Sequence, residues 1–298
     1  MRLHPMHPAA WVLDKVRDAG WSVCDLLAFT RASTLIMVSR PGGPPVVLKA
    51  GFGGDHVLTE LDVETRRAAY GFYWYQQMTP DERGLAREDF RHEIDTTRAA
   101  AGAAHVVPLL DEGNSDQFDW YTMPYCSQGN FRPLLVAEQH NPSTQATGLA
   151  ILADVATGLI ELHQRGIVHR DVYQENILIH DGHGAITDLG AARRADAPRG
   201  PQRRGPEVHW PPEYATSYAT ATPAADVFSL AVLVYRFTCA DLPRLHGRER
   251  LEAVPGPLRN LINVALSPDP ADRPAMADLR DALHQVGQQA AAAAQRKQ

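Results

Sequence analysis

Three polar side chains stand at a spacing that suits chemistry at a phosphate group. Asp171 lies in the run His169-Arg170-Asp171, and Asn176 follows it five positions later. A carboxylate such as Asp171 can accept the proton of an attacking hydroxyl, and the Asn176 amide can ligate a metal ion. A predicted hairpin then returns the chain to Asp188, which places a second metal ligand beside Asn176. A base next to two metal ligands is the arrangement that phosphoryl transfer uses.

Lys49 is a further chemical signal, because lysine is rare in this chain. Of 29 basic residues only three are lysines, namely Lys15, Lys49 and Lys297. Such a bias replaces lysine by arginine wherever charge alone is enough, so a retained lysine is a candidate for a role that a guanidinium cannot fill. Lys49 ends the strand-like run Val46-Val47-Leu48-Lys49. The alternative is an ordinary surface lysine.

Composition limits the class of protein. A chain of 298 residues can form one two-lobed domain or two small ones, and its net charge of −6 argues against general nucleic-acid affinity. The widely spaced Cys24, Cys126 and Cys239 suit a reducing compartment and buried packing roles. No apolar run approaches the ~20 residues that span a bilayer. We therefore expect a cytoplasmic protein that binds neither membrane nor nucleic acid.

The elements that must position these residues change in character near residue 125. Before it, a small antiparallel sheet and a helical stretch at 51–92, broken at Thr79-Pro80, are predicted. Strands are predicted at residues 26–29, 35–38, 46–50, 106–111 and 120–123, the last two joined by a turn at Gly113-Asn114. After the polar stretch 126–130, helical spacing of apolar residues at 148–165 opens a largely helical half.

The order of these residues resembles the protein kinase family, from about residue 20 to about residue 285. Trp210-Pro211-Pro212-Glu213 resembles the element that closes the activation segment in that family, and Asp272-Arg273-Pro274 resembles its partner. The resemblance implies that Glu213 and Arg273 form a buried ion pair. It also implies that Asp226, at a predicted helix start, anchors the backbone of the catalytic loop.

The resemblance implies an α+β, two-lobed protein-kinase-like fold, with a small antiparallel β-sheet N-lobe that carries an αC helix and a mainly helical C-lobe. The expected divisions are an N-terminal lead at 1–20, an N-lobe at 21–125 with a helical insertion at about 51–88, a C-lobe at 126–287 and a tail, frayed or disordered, at 288–298. Lys49 and Glu93 lie 44 residues apart, about twice the family interval. We expect the insertion to add core to the small lobe. Alternatively its aromatic segment at 57–78 docks a partner or covers the nucleotide loop.

ATP and Mg²⁺ are the ligands that the resemblance implies. Lys49 would contact the phosphates and be held by Glu93, Asp171 would be the base, and Asn176 and Asp188 would ligate the metal. Further nucleotide contacts are expected from the hinge and from the turn that covers the phosphates, at Met123, Tyr125, Cys126, Ala28, Thr30 and Ser33.

The phosphate-covering turn departs from the family pattern. Ala28, Thr30 and Ser33 stand where the family has three glycines. Side chains there restrict the approach of backbone amides to phosphates, so weak nucleotide affinity is expected. The hydroxyls of Thr30 and Ser33, or Arg31, could partly replace the missing contacts.

The acceptor side also departs from the pattern. Tyr173 replaces the lysine that Ser/Thr kinases carry two residues after the base, and Pro206 replaces its partner on the substrate side. This paired loss predicts a remodelled acceptor site. The activation segment 191–210 contains no Ser, Thr or Tyr, so its phosphorylation cannot activate the chain. Its five arginines form either a solvated loop or a patch for an acidic substrate or partner protein.

The favoured interpretation is an atypical, bacterial-looking Ser/Thr protein kinase, because all five residues of the transfer machinery are present. One alternative is a pseudokinase that serves as a nucleotide-binding or scaffolding module. Another is a kinase-like phosphotransferase that acts on a small molecule. The sequence leaves these three open.

Overall fold

The chain divides into two compact units. The computed structural model describes residues 3–4, 6–73, 77–137, 141–194, 207–243 and 251–296. The first unit is formed by Met1–Arg98 and Pro108–Tyr125, and the second by Ala99–Val107 and Cys126–Gln298. The stretch Ala99–Val107, predicted for the N-lobe, therefore packs with the second unit. Its backbone explains this, since Val107 N donates to Ile186 O at 2.9 Å.

An antiparallel five-stranded sheet forms the centre of the described part of the first unit, in the order β1-β2-β3-β5-β4. The strands are β1 (Ser22–Phe29), β2 (Thr34–Ser39), β3 (Val46–Ala50), β4 (Asp111–Asn114) and β5 (Asp119–Pro124). Four of the predicted strands are confirmed, with bounds that shift by a few residues. Among these strands burial alternates strictly only in β2, whereas residues 47–50 of β3 and 119–123 of β5 are buried on both faces.

The predicted strand at 106–111 is wrong. Val106 makes only an isolated bridge to Ile186, and the pairing with β5 starts at Asp111. Gly113 and Asn114 are strand residues rather than a turn, and the chain reverses after them, where Ser115 N donates to Phe118 O at 2.9 Å. β4 has no apolar residues at strand spacing, so the sequence pattern does not predict it. An edge strand can be polar, because it does not need an apolar face.

Helices flank this sheet and form the insertion. They are α1 (Pro8–Asp18), α2 (Gly54–Glu60), α3 (Val63–Tyr73) and α4 (Pro80–Ala99). The predicted break at Thr79-Pro80 is a capping box, in which Thr79 N and Oγ1 donate to Glu82 Oε2 at 2.8 and 2.9 Å. Val57 and Leu58 of α2 are fully buried against α1. This part of the insertion therefore adds core, as predicted, while the aromatic cluster at 70–75 lies outside the described side chains.

The second unit is mainly helical in its described residues. Its helices are α5 (Arg132–Val136), α6 (Pro142–Gln164), α7 (Tyr214–Ser217), α8 (Pro223–Cys239), α9 (Gly256–Ala265) and α10 (Met276–Gln295). Two short antiparallel pairs accompany them, formed by β6 (Ile167–Val168) with β9 (Arg193–Arg194) and by β7 (Ile177–His180) with β8 (His183–Ile186). The sheet of the first unit and the helices of the second confirm the predicted α+β class.

The two long helices of the second unit differ from their predicted bounds. α6 begins earlier than predicted, because Asn141 caps it and Pro142 occupies its first turn. By length and apolar composition α6 is the one helix in the described ranges that could cross a membrane, and 56 % of its apolar window is buried inside the protein, as in an ordinary core helix. α10 continues through the predicted tail at 288 and ends at Gln295.

A tight hairpin joins β7 to β8 and brings its two ends together. Asp181 and Gly182 both adopt left-handed backbone, with φ of 49° and 79°, which fits the twist of a two-residue hairpin turn. Ile177 pairs with Ile186, and Thr187 N donates to Asn176 O at 2.9 Å. The residue before the hairpin thus lies beside the residues that follow it, as predicted.

The three cysteines do not share one environment. Cys239 is buried, Cys126 is half-buried and Cys24 is exposed, all as free thiols. The expected packing role therefore applies to Cys239, and it is wrong for Cys24. Cys24 lies on β1, the edge strand of the sheet, where one face meets solvent.

The predicted ion pair of Glu213 and Arg273 is confirmed in the second unit. Arg273 donates to both carboxylate oxygens of Glu213 at 2.7 Å, and its side chain is 0 % exposed. Further guanidinium donors reach Ala224 O at 3.0 Å and Ser267 O at 2.9 Å. Because every arm of the guanidinium is engaged, the pair fixes the start of α7 to the segment before α10.

The substitution Arg273→Met tests this pair. We expect a loss of about 3–5 kcal/mol in the free energy of unfolding, because the Glu213 carboxylate stays behind without its partner. Urea denaturation of the full chain measures the loss. Arg280→Met, which removes an exposed pair with Asp281, serves as control and should cost at most about 1 kcal/mol. Equal effects of the two substitutions would contradict the structural role of Arg273.

Candidate active site

Lys49 and Glu93 form a buried ion pair in the first unit. Lys49 Nζ lies 2.6 Å from Glu93 Oε1, and their side chains are 7 % and 2 % exposed. Glu93 projects from α4, and Lys49 lies near the end of β3. The pairing predicted across 44 residues of chain is therefore present, and it presents a positively charged ammonium whose position is fixed by two elements.

Tyr121 completes this pair, and the sequence did not reveal it. Its hydroxyl donates to Glu93 Oε1 at 2.7 Å. Tyr121 lies directly opposite Lys49 in the pairing of β3 with β5, so both side chains emerge on one face of the sheet. The signal that could have found Tyr121 is this register, which the sequence alone does not give.

The turn between β1 and β2 uses its amides internally. Thr30 N donates to Ser33 O at 3.0 Å, and the amides of Ala32 and Ser33 donate to Thr30 Oγ1 at 3.3 and 3.0 Å. Thr30 Oγ1 in turn donates to Ser33 O at 2.9 Å. These donors are thus committed to the turn itself, and they do not fit a phosphate cradle of the kind that glycine-rich loops form.

The insertion fastens the same turn from outside. Gly54 N donates to Thr30 O at 2.9 Å, and Arg31 pairs with Asp55 at 3.1 Å. Gly53 approaches so closely that an added Cβ would lie 2.5 Å from the carbonyl of Arg31. Thr30 Oγ1 and the Nε and Nη2 atoms of Arg31 thus help to hold the turn. Replacement of the missing phosphate contacts by Thr30, Ser33 or Arg31 stays a prediction.

The predicted hinge contacts lie on either side of the sequence boundary between residues 125 and 126. Met123 is buried on β5 and Tyr125 is 37 % exposed, both in the first unit. Cys126 begins the next stretch of the second unit, and burial raises the pKa of its thiol. Ala28 lies on β1, next to the turn. Contact of these four residues with a nucleotide stays a prediction.

Asp226 anchors the catalytic loop in the second unit, as predicted. Its carboxylate is fully buried and accepts hydrogen bonds from His169 N and Arg170 N, both at 2.8 Å. His163 Nε2 lies 2.8 Å from the same carboxylate, a contact that the sequence analysis missed. Burial by itself raises the pKa of Asp226, but the bond and charge of His163, together with His169, outweigh it and lower the pKa below its ordinary value.

His169 links the loop to the segment that carries Asp188. Asp171 N lies 3.2 Å from His169 Nδ1, and His169 Nε2 lies 3.0 Å from Thr187 O. A neutral imidazole satisfies both contacts, with Nδ1 as acceptor and Nε2 as donor. Burial lowers the pKa of His169 and so favours this neutral form. No role for His169 was predicted from the sequence.

Asp171 and Asn176 are in direct contact. Asn176 Nδ2 donates to Asp171 O at 2.9 Å and to Asp171 Oδ2 at 3.0 Å. These two bonds commit the amide nitrogen and leave the Asn176 carbonyl oxygen as its remaining ligand atom. Asp188 takes a left-handed conformation, with φ of 63°, and its Oδ1 accepts from Gly190 N at 3.3 Å.

The residues present fit a Mg²⁺ ion. Mg²⁺ prefers oxygen ligands, and it is commonly held by one or two carboxylates together with substrate phosphates. The carbonyl oxygen of Asn176 and the carboxylate of Asp188 are oxygen donors of this kind. Within the described ranges, no cluster of three or more His, Cys, Asp or Glu residues could hold a metal by itself. The donor set therefore suits a metal that arrives with phosphate better than a resident structural ion.

Arg170 is enclosed by the fold. Its side chain is buried, Nε donates to Ala191 O at 2.7 Å, and Nη1 donates to Tyr218 O at 3.0 Å. The guanidinium carbon lies 4.3 Å from the centre of the Tyr218 ring. Backbone carbonyls and an aromatic face thus surround a cation for which the activation segment offers no phosphorylatable residue.

Tyr173 lies two residues after Asp171 in the catalytic loop. Burial raises the pKa of its phenol, and the carboxylates of Asp171 and Asp188 raise it further, so it stays protonated at neutral pH. A neutral phenol therefore stands where the resemblance expects a lysine cation. Its ring lies 6.4 Å from that of His209, whereas Pro206, the predicted second member of the altered pair, falls outside the described residues.

Comparisons with known proteins identify the family of the chain. Residues 75–284 match the family model described as "Protein kinase domain". The match covers more than half of the chain and begins after Lys49 and the β1–β2 turn, where the sequence departs from the pattern. The chain is 29 % identical over 247 residues to serine/threonine-protein kinase PknL of Mycobacterium tuberculosis, with 75 % of this chain and 60 % of that protein covered.

Two further relatives show lower coverage. Over 160 residues the chain is 32 % identical to the probable serine/threonine-protein kinase pknA2 of Bifidobacterium longum, with 52 % of this chain and 21 % of that protein covered. It is 27 % identical over 215 residues to serine/threonine-protein kinase AfsK of Streptomyces coelicolor, covering 67 % of this chain and 26 % of the relative. The chain thus spans about a fifth to three fifths of the length of these relatives.

The substitution Asp226→Asn tests the anchor. We expect it to cost at least about 2 kcal/mol at neutral pH, because charge-assisted hydrogen bonds to the loop amides are weakened. The pKa of Asp226 is lower in the folded chain than the unfolded value of about 3.9, so its charge stabilises the fold above that pH. This contribution is lost as the pH falls through the folded pKa. The difference in the free energy of unfolding between wild type and Asp226→Asn, measured by urea denaturation, should therefore become smaller below about pH 4. Asp281→Asn, at an exposed carboxylate, is the control. A stability difference between wild type and Asp226→Asn that does not change with pH would contradict the role of the charge.

Proposed function

The chain belongs to the protein kinase family, and we propose that it transfers the γ-phosphoryl group of ATP to a Ser or Thr hydroxyl of a protein. One observation carries the proposal: each charged group that the reaction needs is present and individually held. Lys49 is fixed by Glu93 at 2.6 Å, and Asp171 is fixed by Asn176 at 3.0 Å. A chain without catalytic constraint would have no reason to keep both arrangements.

The residues would act by positioning and charge, which dominate this kind of reaction. Asp171 would accept the proton of the acceptor hydroxyl at Oδ1 or Oδ2, while the Asn176 amide orients the carboxylate. The Lys49 ammonium would offset negative charge on the nucleotide phosphates. Mg²⁺ held by Asn176 and Asp188 would neutralise charge on the phosphate oxygens when bound.

Activity without phosphorylation of the activation segment is part of the proposal. In many regulated enzymes an arginine cluster waits for a phosphate that orders a loop. Here Arg170 already donates to Ala191 O and Tyr218 O and stacks on the Tyr218 ring. The loop next to Asp171 is therefore ordered by contacts that the folded chain supplies itself.

The β1–β2 turn favours a second candidate function, that of a nucleotide-binding or scaffolding module without catalysis. Its amides at Thr30, Ala32 and Ser33 donate within the turn. Phosphates would have to displace these bonds to reach them, and each displaced bond offsets part of the affinity gained. Weak ATP binding would follow, and loss of transfer would follow only if positioning of the γ-phosphate depends on this turn.

Labelled ATP with Mg²⁺ tests transfer directly, with wild type beside Asp171→Asn. We expect phosphate on Ser or Thr of the chain or of an added acceptor protein, and a rate roughly 100- to 10,000-fold lower in Asp171→Asn, because a general base is lost. Circular dichroism should show both proteins folded. In a thermal-shift series, ATP should raise the melting temperature of both proteins, because a ligand that binds only the folded state stabilises that state.

Each other outcome decides between the alternatives. Stabilisation by ATP with no transfer above the Asp171→Asn level would contradict catalysis and favour the binding module. If ATP does not stabilise the chain and no phosphoryl transfer occurs, the scaffolding role would be favoured. Phosphate that appears on an added metabolite mixture, but on no protein, would favour the small-molecule acceptor.

The substitution Lys49→Arg tests whether the retained lysine has a role that charge alone cannot fill. It keeps the positive charge beside Glu93, but a wider fork replaces a compact ammonium that is only 7 % exposed. We expect transfer to fall by at least about 100-fold, as for loss of a positioned electrostatic donor. Lys15→Arg, at a half-buried position of α1, should leave the rate unchanged. Full activity of Lys49→Arg would contradict the assigned role.

A further inference from the structure

Asp119 joins the strand that carries Lys49 to the helix that carries Glu93. It is the first residue of β5, and its backbone carbonyl accepts a hydrogen bond from Gly51 N at 2.9 Å. Gly51 lies two residues after Lys49, directly beyond the end of β3. The side chain of Asp119 is buried and binds α4. One residue therefore contacts both elements that position the ion pair.

Two arginines of α4 bind the Asp119 carboxylate. Arg87 Nη2 donates to Asp119 Oδ1 and Arg87 Nε donates to Oδ2, both at 2.9 Å, which is a bidentate arrangement. Arg91 lies one turn further along α4, and its Nε donates to Asp119 Oδ2 at 2.8 Å. Because residues four apart are neighbours on a helix surface, the carboxylate holds one face of α4 against the sheet.

Arg87 also binds the turn that precedes β5. Its Nη2 donates to Ser115 O at 2.7 Å, and its Nη1 donates to Asp116 O at 3.0 Å. All three guanidinium nitrogens are thus engaged. Burial by itself raises the pKa of Asp119, but the bonds and charges of Arg87 and Arg91 outweigh it and lower the pKa below its ordinary value. The carboxylate is therefore ionised at neutral pH, where it binds both arginines.

The same face of α4 packs closely beside Lys49. A Cβ added to Gly51 would lie 2.4 Å from Phe90 Cδ1, so the phenyl ring fills the space that a side chain there would need. The ring of Phe90 lies 5.9 Å from that of Tyr121, whose hydroxyl donates to Glu93. Movement of α4 away from the sheet would therefore break the bonds to β5 and separate Glu93 from Lys49.

We infer that Asp119 is a positioning residue for phosphoryl transfer. By binding Arg87 and Arg91 it holds α4 against the sheet, and Glu93 then meets Lys49 without help from a ligand or a partner protein. A contact that exists only with α4 docked favours the docked state by its own free energy. The importance of the ion pair for transfer rests on the proposed function. The hold on α4 does not, because all of these residues belong to the first unit.

Amine labelling measures the position of α4 without a need for catalysis. The chain has three lysines, so mass spectrometry can follow acetylation of each one separately. We expect Lys49 to react at least about tenfold faster in Asp119→Asn than in wild type, as loss of one charge-assisted hydrogen bond provides. Asparagine replaces a carboxylate oxygen by an NH₂ donor, which faces the donors of the arginines. Lys15, on α1, should react at the same rate in both proteins and serves as the internal reference.

Matched variants assign the effect to this contact. Asp111→Asn removes a carboxylate charge from an exposed pair with Arg40 in the same sheet, and it should leave the labelling of Lys49 unchanged. Arg87→Gln should accelerate labelling more than Arg91→Gln, because Arg87 makes two of the three bonds to the carboxylate.

Low concentrations of urea separate release of α4 from unfolding of the chain. Local movement exposes little surface, so the labelling rate of Lys49 in Asp119→Asn should be nearly constant below the unfolding transition. Labelling through global unfolding would rise steeply with urea. Such a rise, or equal labelling of Lys49 in wild type and folded Asp119→Asn, would overturn the inference.

A transfer assay with Mg²⁺ and ATP keeps the proposed function separate. If the wild type transfers phosphate, Asp119→Asn should do so at a roughly tenfold lower rate, because misplaced groups react slowly. Undiminished transfer by Asp119→Asn would contradict the positioning role. Faster labelling of Lys49 in this variant, together with no transfer by the wild type, would support the hold on α4 and contradict the proposed function instead.

Discussion

The buried carboxylate of Asp226 is the constraint on which the second unit depends. It accepts hydrogen bonds at 2.8 Å from two consecutive backbone amides of the catalytic loop, and His163 Nε2 contacts the same carboxylate. A fully buried charge is stable only when hydrogen bonds replace its lost hydration. The loop amides supply these hydrogen bonds. If the loop moved away, the Asp226 carboxylate would therefore be left buried without partners for its charge. The position of Asp171 follows from this, because it comes directly after the two anchored residues.

The molecule keeps the parts that position charge and departs where backbone would wrap the nucleotide or the acceptor. The Lys49–Glu93 pair and the Asp171–Asn176 contact are both formed. In contrast, the β1–β2 turn is closed on itself and fastened by the insertion through Gly54. Under the proposed function, this turn would offer few free amides to nucleotide phosphates, while the charged groups stay suited to transfer.

Motif order allowed much of the candidate site to be predicted, because the pairs concerned are constrained by chemistry. The pairing of Lys49 with Glu93 and the anchor at Asp226 are of this kind. Tyr121 and His163 could not be found, since their roles depend on strand register and helix packing that only the folded chain defines. The apolar run at 106–111 misled the strand prediction, because Val106 and Val107 are buried within the second unit with a single bridge, whereas residues 108–111 are exposed or half-buried. Contacts of the insertion with Arg31 are long-range and left no local signal.

The central claim is that the folded chain transfers phosphate without prior phosphorylation. Mass spectrometry of phosphatase-treated chain, incubated with Mg²⁺ and ATP together with a mixture of acceptor proteins, tests it most directly. The account predicts new phosphate on Ser or Thr residues from the first time points, with no lag while a priming phosphate accumulates. Phosphorylation that appears only after treatment by another kinase, or no phosphorylated residue at all on a folded chain, would contradict it.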